Sequence, residues 1–199
     1  MSQSLQFRWL GRWLGIIAAS SLFGSLALSL APQQDKWKVA AQKIKRLPPS
    51  AFKEMPPEFQ KMLQRRGCLV PQSIASEEPH NVIRGEFARP GQMDWAALCS
   101  RKGSSAIVVF WGEASPCPSE LADGDDTLSL QDGNDGAPVF SRQLSAVDEK
   151  FIRRHFEAYG GPEPPTTIDH HGINDAFVGK ASVVHYCHQV KWLRLTGTD

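Results

Sequence analysis

The sequence lacks an excess of charge of either sign. Its 199 residues contain 22 Lys and Arg against 21 Asp and Glu, which gives a formal net charge of +1. Such a balance provides no overall electrostatic field that would attract nucleic acid. Nucleic acid is therefore not expected among its partners.

Patterns that would mark a metal site or an active site are also missing. The four cysteines contain no Cys-x-x-Cys pair, so a zinc ribbon or a thioredoxin-like site is not supported. Cys187 and His185 lie two residues apart on one face of a predicted strand. No third group would orient that histidine, however, and no oxyanion hole is evident. We therefore expect a non-catalytic chain that binds no cofactor.

A third absence lies near the N-terminus, where residues 13–31 carry no charge. Arg8 and Arg12 precede this apolar run, and Ala27-Leu28-Ser29 offers small residues to a signal peptidase. Residues 1–31 are therefore predicted to be a signal peptide. The alternative is a membrane anchor over residues 13–31, because the run is near the minimum length for spanning a bilayer.

The lysines that follow this run oppose export, since positive residues prefer the cytoplasmic side of a membrane. The favoured localisation is nevertheless exported, either periplasmic or secreted. Contact with a membrane is expected only through the N-terminal segment.

Residues 32–66 are predicted to be a basic helical linker. Trp37, Ala41, Ile44 and Leu47 recur at helical spacing, and a second short helix fits residues 58–66. The first helix is compatible with binding to anionic lipid, but its thin apolar stripe favours a solvated linker. Residues 67–199 are long enough to form one domain.

Within that domain, residues 81–111 predict three strands joined by turns that contain glycine. A hairpin is predicted from residues 181–188 and 192–195, and the best helix covers residues 145–159, with Ser145 as its cap. The predicted fold is α+β: an antiparallel sheet of about five strands covered by one main helix and preceded by the helical linker.

No Lys or Arg occurs between Lys102 and Arg142, an interval rich in acidic residues, Gly, Pro and Ser. It predicts long loops around one strand near residues 127–130. Residues 132–136 resemble a shortened calcium loop whose spacing is compressed by one residue, which disfavours an ion. We expect a solvated acidic loop that could serve for interaction, formed by Asp123, Asp125, Asp126, Asp132 and Asp135.

The four cysteines allow three disulfide pairings in an oxidising compartment. Cys68 precedes the predicted strands and Cys99 ends the second, so a Cys68–Cys99 bond would hold the start of the domain to the sheet. Cys117 lies in a loop between prolines. Cys187 lies in a strand, where a buried free thiol is the expected state.

Histidines cluster in the last third of the chain. The candidate metal ligands are Asp169, His170, His171 and Asp175, but their spacing matches no ligand pattern, and no metal site is predicted. His185 and His188 point to opposite faces of a strand and would not share an ion. The alternative function is a metal-assisted hydrolase that uses Asp169, His171 and Asp175 with His185.

Residues 85–94 resemble the loop of FG-GAP and VCBS-type repeats, in which oxygens at the first, third, fifth and ninth loop positions hold calcium. Glu86 and Asp94 match the first and ninth positions, whereas Ala88 and Pro90 supply no side-chain oxygen. The resemblance implies a strand-turn-strand unit without calcium. Because the motif occurs once, it does not imply a propeller.

The domain also resembles an uncharacterised type of exported bacterial domain, to which no activity is attached. The resemblance covers most of residues 66–199 and implies boundaries and compartment only. It rests on short motifs, among them Arg66-Gly67-Cys68, Asp94-Trp95-Ala96, Tyr159-Gly160-Gly161-Pro162, Asp169-His170-x-Gly172-Ile173 and Gly179-Lys180-Ala181-Ser182.

The favoured function is an exported, non-catalytic interaction or binding domain for an unknown protein or small-molecule ligand. A compact sheet, long acidic loops and the lack of a catalytic set motivate it. A membrane-tethered structural domain is a third hypothesis, separated from the first by whether the N-terminal segment is cleaved.

If residues 1–31 direct export and are removed, the mature chain should begin near Leu30 or Pro32, because cleavage follows a small residue. Amino-terminal sequencing of the protein from the exported fraction measures this directly. Intact residues 1–31 in the soluble cytoplasm would contradict the export hypothesis.

Overall fold

The computed structural model describes residues 31–196, and this part of the chain is mostly β-structure. Its helices are α1 (Ala31–Lys43), α2 (Pro57–Arg65) and α3 (Glu149–Tyr159), with short 3-10 helices at Pro49–Ala51 and Asp126–Ser129. Its strands are β1 (Arg46–Leu47), β2 (Val70–Pro71), β3 (Val82–Gly85), β4 (Asp94–Arg101), β5 (Ser104–Phe110), β6 (Glu120–Asp125), β7 (Leu130–Asp132), β8 (Pro138–Phe140), β9 (Arg142–Val147), β10 (Gly172–Phe177), β11 (Ala181–His188) and β12 (Lys191–Thr196). The predicted export segment lies outside the described residues apart from Ala31.

The predicted α+β domain, with one sheet of about five strands under a single main helix, is wrong. The described strands form four antiparallel sheets. The first large sheet has the order β3-β4-β5-β6 and the second has the order β12-β11-β10-β9. Strands β1 and β2 form a small pair, as do β7 and β8.

The two large sheets bury an apolar layer between their facing sides. Alternate residues of β4 and β5, such as Leu98 and Ile107, share a buried cluster with Leu144 of β9 and Ile173 of β10. The intervening residues of β4 and β5 point the other way, because successive side chains of a strand face opposite sides of a sheet. Both faces of the first sheet are therefore apolar, which explains the continuous apolar sequence of β5.

A helical layer covers the outer face of each large sheet. On the first sheet, α2 and the segment before it place Phe59 and Leu63 against Val108. On the second sheet, Ile152 of α3 packs with Val184 and other apolar side chains. The helix expected to cover a single sheet thus covers only the second one.

The segment predicted to be a linker supplies part of this core. Phe52, Met55, Phe59 and Leu63 are each at most 2% exposed. Their spacing suits a surface helix in solution, but the outward apolar face of the first sheet requires a cover, and burial of these side chains provides it. Residues 49–65 therefore pack as an integral layer of the described structure.

The main helix begins later than the sequence predicts. Ser145 lies in β9, and the N-terminal cap of α3 is Asp148, whose carboxylate accepts a hydrogen bond of 2.8 Å from the Phe151 amide. In the sequence, Val147 continues the four-residue apolar spacing of the helix. In the structure it is the last residue of β9 and packs in the same cluster as Ile152. An apolar residue at the end of a strand, next to an amphipathic helix, therefore produces the sequence pattern of one longer helix.

The acidic interval is more ordered than predicted. The strand expected near residues 127–130 is instead the 3-10 helix Asp126–Ser129 followed by β7, and the interval also contains β6 and β8. Strands β7 and β8 have three residues each, and the aspartates of β6 and β7 break the apolar alternation by which strands are recognised. Strand β10 escapes recognition because Asn174 and Asp175 interrupt its apolar positions.

Two disulfide bonds connect the described residues. Cys68 is bonded to Cys99, the pairing expected from the sequence, and Cys117 is bonded to Cys187. The expectation of a free thiol at Cys187 is therefore wrong: the loop after β5 returns to the second sheet, which brings Cys117 to β11. Two disulfides fit an oxidising, exported environment. No helix within residues 31–196 is long and apolar enough to cross a membrane.

Removal of either disulfide should destabilise the fold. Cys68–Cys99 and Cys117–Cys187 close loops of 31 and 70 residues, and on the chain-entropy model each bond is worth on the order of 4 kcal/mol. Cys117→Ala should therefore lower the free energy of unfolding about as much as Cys99→Ala, and Cys117→Ala with Cys187→Ala should cost little more than either alone. Urea unfolding measures these values. A silent Cys117→Ala would contradict the second bond.

Candidate functional site

A cavity of about 670 Å³ opens between β6 and the face of the second sheet formed by β10, β11 and β12. Its wall on the β6 side includes Leu121 and Asp123, and Leu128 of the following 3-10 helix also lines it. Charged and polar side chains at its inner end are contributed by Arg142, Asp175 and His185. An apolar cavity with a few convergent polar groups is the usual form of a ligand site.

The inner end of the cavity contains a buried ion pair. Arg142 Nε and Nη2 donate to the two carboxylate oxygens of Asp175, each over 2.8 Å. The Arg142 Nη1 and Nη2 groups also donate to the Ser105 and Ala122 carbonyls, over 3.2 and 2.8 Å. Because the guanidinium is planar and has five donors, it can satisfy a carboxylate and both carbonyls together.

A β-bulge makes one of these carbonyls available. The pairing of β5 with β6 shifts register between Ser105 and Ile107, and Ala122 has a positive φ of 54°. A bulge releases backbone groups from the ladder and bends the strand. The Ala122 carbonyl consequently turns to Arg142 and links the first sheet to the second.

His185 lies beside this ion pair without completing a hydrogen bond to it. Its ring is 3% exposed, and Nε2 lies 3.6 Å from Asp175 Oδ2. Within the described residues, this buried nitrogen has no hydrogen-bond partner. A buried polar atom that makes no hydrogen bond costs about 1–3 kcal/mol of stability. Folding alone therefore does not account for a histidine at this position.

The ionisation of Asp175 is controlled by its surroundings. Burial tends to raise the pKa of this carboxyl, but the contacts with His185 and Arg142 outweigh it and hold the pKa below its usual value. The carboxylate therefore stays charged at neutral pH and faces both Arg142 and His185.

The entrance of the cavity is lined by an indole of fixed orientation and by an exposed arginine. Trp192 Nε1 donates to the Pro118 carbonyl over 2.8 Å, and its ring stacks on Trp111 with a centroid distance of 5.8 Å. Leu128, at 74% exposure, presents an apolar side chain to solvent. Arg194 lines the cavity and is exposed, and its side chain has no hydrogen bond or ion pair with any residue in the described range.

Another cavity, of about 680 Å³, lies between α1 and β8. Apolar side chains line most of it, including Val39 and Ile74. None of the buried, unpaired polar atoms of the described residues lies in its lining. The cavity beside His185 therefore offers a more distinctive set of polar groups than this one does.

The predicted metal candidates are separated by the fold. His171 Nδ1 accepts a hydrogen bond of 3.0 Å from the Glu86 amide. Both nitrogens of His170 are occupied, with Nε2 donating to the Cys187 carbonyl and Nδ1 lying 2.5 Å from the Tyr186 hydroxyl. Asp169 Oδ1 lies 3.0 Å from His170 Nδ1. Burial of its hydroxyl raises the pKa of Tyr186 to about 12, which keeps the phenol neutral.

Of the residues named for a hydrolase, the structure brings together only Asp175 and His185, which both line the cavity. His171 contacts the turn before β4, and Asp169 lies beside Tyr186. Within residues 31–196, no group of three or more His, Cys, Asp or Glu side chains is placed to hold a metal.

Asp94, the last residue of the turn that resembles a calcium loop, is fully buried. Its Oδ2 accepts hydrogen bonds of 3.0 Å from the Phe87 and Ala88 amides. Its Oδ1 accepts from Gln92 Nε2 and from the Gly112 amide, over 2.8 and 2.9 Å. The four donors use both oxygens to fix the turn between β3 and β4.

The predicted acidic loop is not uniformly solvated. Asp126 is 1% exposed and accepts hydrogen bonds from Arg46, Ser100 and Ser105. That part of the prediction is wrong, because the carboxylate holds Arg46 of β1 to the first sheet.

The other aspartates of the predicted loop are exposed. Asp132 pairs with Lys36, and the Asp135 carboxylate accepts from the Ala137 amide. Asp123 accepts from the Ser104 hydroxyl, and hydrogen bonds from Thr127 lower the pKa of Asp125. Asp123 and Asp125 lie at the cavity, whereas Asp132 and Asp135 line a different depression.

Comparison with protein-family models, with curated proteins and with solved structures finds no match to this chain.

The sequence reading missed Arg142, Trp192 and Arg194 as site residues. Each has a partial signal: Arg142 ends the interval without basic residues, and Trp192 and Arg194 alternate along a predicted strand. Neither signal identifies a site until β6, β9, β10 and β12 are brought together in space.

Asp175→Asn should destabilise the protein at neutral pH, because it leaves the Arg142 charge buried without an anion. We expect a loss of about 3–5 kcal/mol in the free energy of unfolding. The folded-state pKa of Asp175 lies below the ordinary value of 3.8. Its stabilisation is therefore present above that value and lost as pH falls through the folded-state pKa.

Urea unfolding of both proteins between about pH 7 and pH 2 tests this, since their difference should shrink in acid. Asp123→Asn is the control: it removes an exposed carboxylate and should change stability by less than about 0.5 kcal/mol. An equal loss at every pH would contradict an ionic role for Asp175.

Proposed function

We propose that this protein is an exported, non-catalytic ligand-binding domain and that the cavity beside His185 is its binding site. The observation that carries this proposal is the cavity of about 670 Å³, whose lining combines apolar side chains with the polar groups of Arg142, Asp175 and His185.

The apolar lining supports the same site. Leu128 is 74% exposed at the cavity, although it is large and apolar. Leu121, Phe177 and Val183 are further apolar residues of the lining. Together they offer surface that a partly apolar small molecule would cover, with a gain of roughly 25 cal/mol for each Å² removed from water.

The geometry favours binding over catalysis. Asp175 is held by two hydrogen bonds from Arg142, so its oxygens are engaged in the ion pair. The described lining contains no Cys or Lys nucleophile, and the guanidinium already donates to two carbonyls. A fixed, satisfied ion pair of this kind holds the geometry of the cavity.

Export is proposed from two independent observations. The uncharged run over residues 13–31, preceded by Arg8 and Arg12, has the layout of a signal peptide. The two disulfides fit the oxidising conditions outside the cytoplasm. Periplasmic and secreted locations both satisfy these observations.

A substitution that fills the cavity tests the site. Val183 lines the cavity, whereas Val190 is 70% exposed at the turn of the same hairpin. The wild-type protein, Val183→Trp and Val190→Trp would be screened against sugars, amino acids, nucleosides and fatty acids by thermal shift. A ligand of the cavity should raise the Tm of the wild type and of Val190→Trp but not of Val183→Trp.

Circular dichroism would first establish that both variants are folded. The proposal is overturned if no compound raises the Tm of the wild type, or if every compound that does so acts equally on Val183→Trp.

A further inference from the structure

We propose that the cavity of about 680 Å³ between α1 and β8 binds a free fatty acid anion. This cavity has no lining residue in common with the cavity beside His185, so the proposal goes beyond the proposed function and does not depend on it. Three features of the described lining support it: apolar walls, charges of one sign, and polar groups that already have hydrogen-bond partners.

One side of α1 forms a wall of the cavity. Lys36, Val39, Ala40 and Lys43 all line it, and steps of three and four residues place them on the same side of a helix. From Lys36 to Lys43 this wall runs for roughly 10 Å, at about 1.5 Å for each residue. It presents apolar side chains between two lysines, which suits an extended chain that has one charged end.

The rest of the wall is mostly apolar as well. Val39 and Ile74 are 47% and 57% exposed, although both are large and apolar. An acyl chain between them would remove apolar surface of the protein and of the ligand from water. The other apolar residues of this part of the lining are Leu130, Ala137, Pro138, Val139 and Phe140.

The ionic residues of the described lining are Lys36, Lys43 and Lys45, and no Asp or Glu is among them. Lys36 is paired with Asp132 over 2.9 Å. Lys43 and Lys45 are exposed, and their side chains have no hydrogen bond or ion pair with any residue in the described range. Two unpaired cations beside an apolar cavity attract an anion and repel a cation.

The end of α1 does not cancel this attraction. The last carbonyls of a helix carry a partial negative charge, which would repel an anion. Arg46 donates to the Ala41 and Ile44 carbonyls, over 3.1 and 3.2 Å. These hydrogen bonds offset part of the negative charge where Lys43 and Lys45 stand.

The uncharged polar side chains of the described lining are those of Gln72, Ser73 and Ser76, and each already has a partner. Gln72 Nε2 donates to the Val70 and His80 carbonyls, each over 3.0 Å. The Ser73 hydroxyl lies 3.0 Å from His80 Nε2, and the Ser76 hydroxyl donates to a carbonyl of its own turn. A ligand rich in hydroxyl groups would gain few new hydrogen bonds here, whereas an acyl chain requires none.

Calorimetry on the full-length protein, with both disulfides intact, tests the class of ligand. The probes are acetate, octanoate, decanoate and laurate, with dodecyltrimethylammonium as the cation of equal chain length, all below their critical micelle concentrations. We expect no binding of acetate and an affinity that rises by about three- to fourfold for each added CH₂. Laurate should bind at least about tenfold more tightly than the cation, and its affinity should fall as salt is added.

Charge reversal at the two unpaired lysines tests the head-group contact. Lys43→Glu with Lys45→Glu should weaken laurate binding by about tenfold or more, because attraction becomes repulsion. Lys53→Glu with Lys61→Glu is the matched control, since both residues are exposed, lie outside the lining and give the same change of net charge. The control should keep its affinity within about twofold.

A carboxylate placed in the apolar wall tests the position of the chain. Ile74→Asp should weaken laurate binding by about tenfold or more, because the acyl chain would then lie against a charge. Leu128→Asp is the matched control: Leu128 is 74% exposed and lines the cavity beside His185. It should leave laurate binding unchanged. Circular dichroism establishes that each variant is folded, and the lysine pair tests the same cavity if Ile74→Asp does not fold.

Four results would overturn the proposal. The first is equal binding of laurate and the cation, or an affinity that does not change with chain length. The second is laurate binding that Leu128→Asp abolishes and Ile74→Asp preserves, which places the chain in the other cavity. The third is binding to anionic phospholipid vesicles without binding of free laurate, which indicates a membrane surface. The fourth is a dimer that Ile74→Asp dissociates and that binds no laurate, which indicates that a second copy covers the cavity.

Discussion

The guanidinium of Arg142 links its own strand to three other strands of this fold. It belongs to β9, pairs with Asp175 of the neighbouring β10, and donates to carbonyls of β5 and β6 in the opposite sheet. Because the group is 8% exposed, removal of its anion would leave a buried charge at a cost of about 3–5 kcal/mol. That is a large part of the 5–15 kcal/mol by which a typical domain is stable. Asn81, which bonds to backbone groups of β2 and β9, joins the sheets at another point.

The same arrangement leaves the cavity open. Arg142 engages β6 through the Ala122 carbonyl at a bulge, and the Cys117–Cys187 bond and the Trp111–Trp192 stack hold the loop after β5 to the hairpin. These contacts fix the two sheets without filling the space between β6 and the hairpin with side chains. A cavity held by an ion pair, a disulfide and a stacked indole has little need to reorganise when a ligand enters.

The sequence predicted the elements whose apolar pattern matches one secondary structure, and it failed where polar residues lie inside. Strands β3, β4 and β5 and the hairpin of β11 and β12 were predictable because Val, Ile, Leu and aromatic residues mark them. Strands β6 and β10 were not, because exposed Asp123 and Asp125 in β6 and largely buried Asp175 in β10 interrupt the apolar pattern of a strand. Burial of Asp175 becomes favourable only once Arg142 lies beside it, and the two are 33 positions apart in the chain. The site is built from such distant pairs, so the partial local signals of its residues could not bring them together.

His185 shows how stability and function can be separated within this site. Arg142 and Asp175 satisfy each other, so their burial is accounted for by folding alone. The Nε2 atom of His185 gains no such bond, and an apolar residue of similar size would avoid the cost of burying it. Other buried polar atoms without partners, such as His155 Nε2 and Asn174 Oδ1, do not belong to residues that line this cavity. Among the described residues that line this cavity, His185 is therefore the one whose buried polar atom folding leaves without a hydrogen bond.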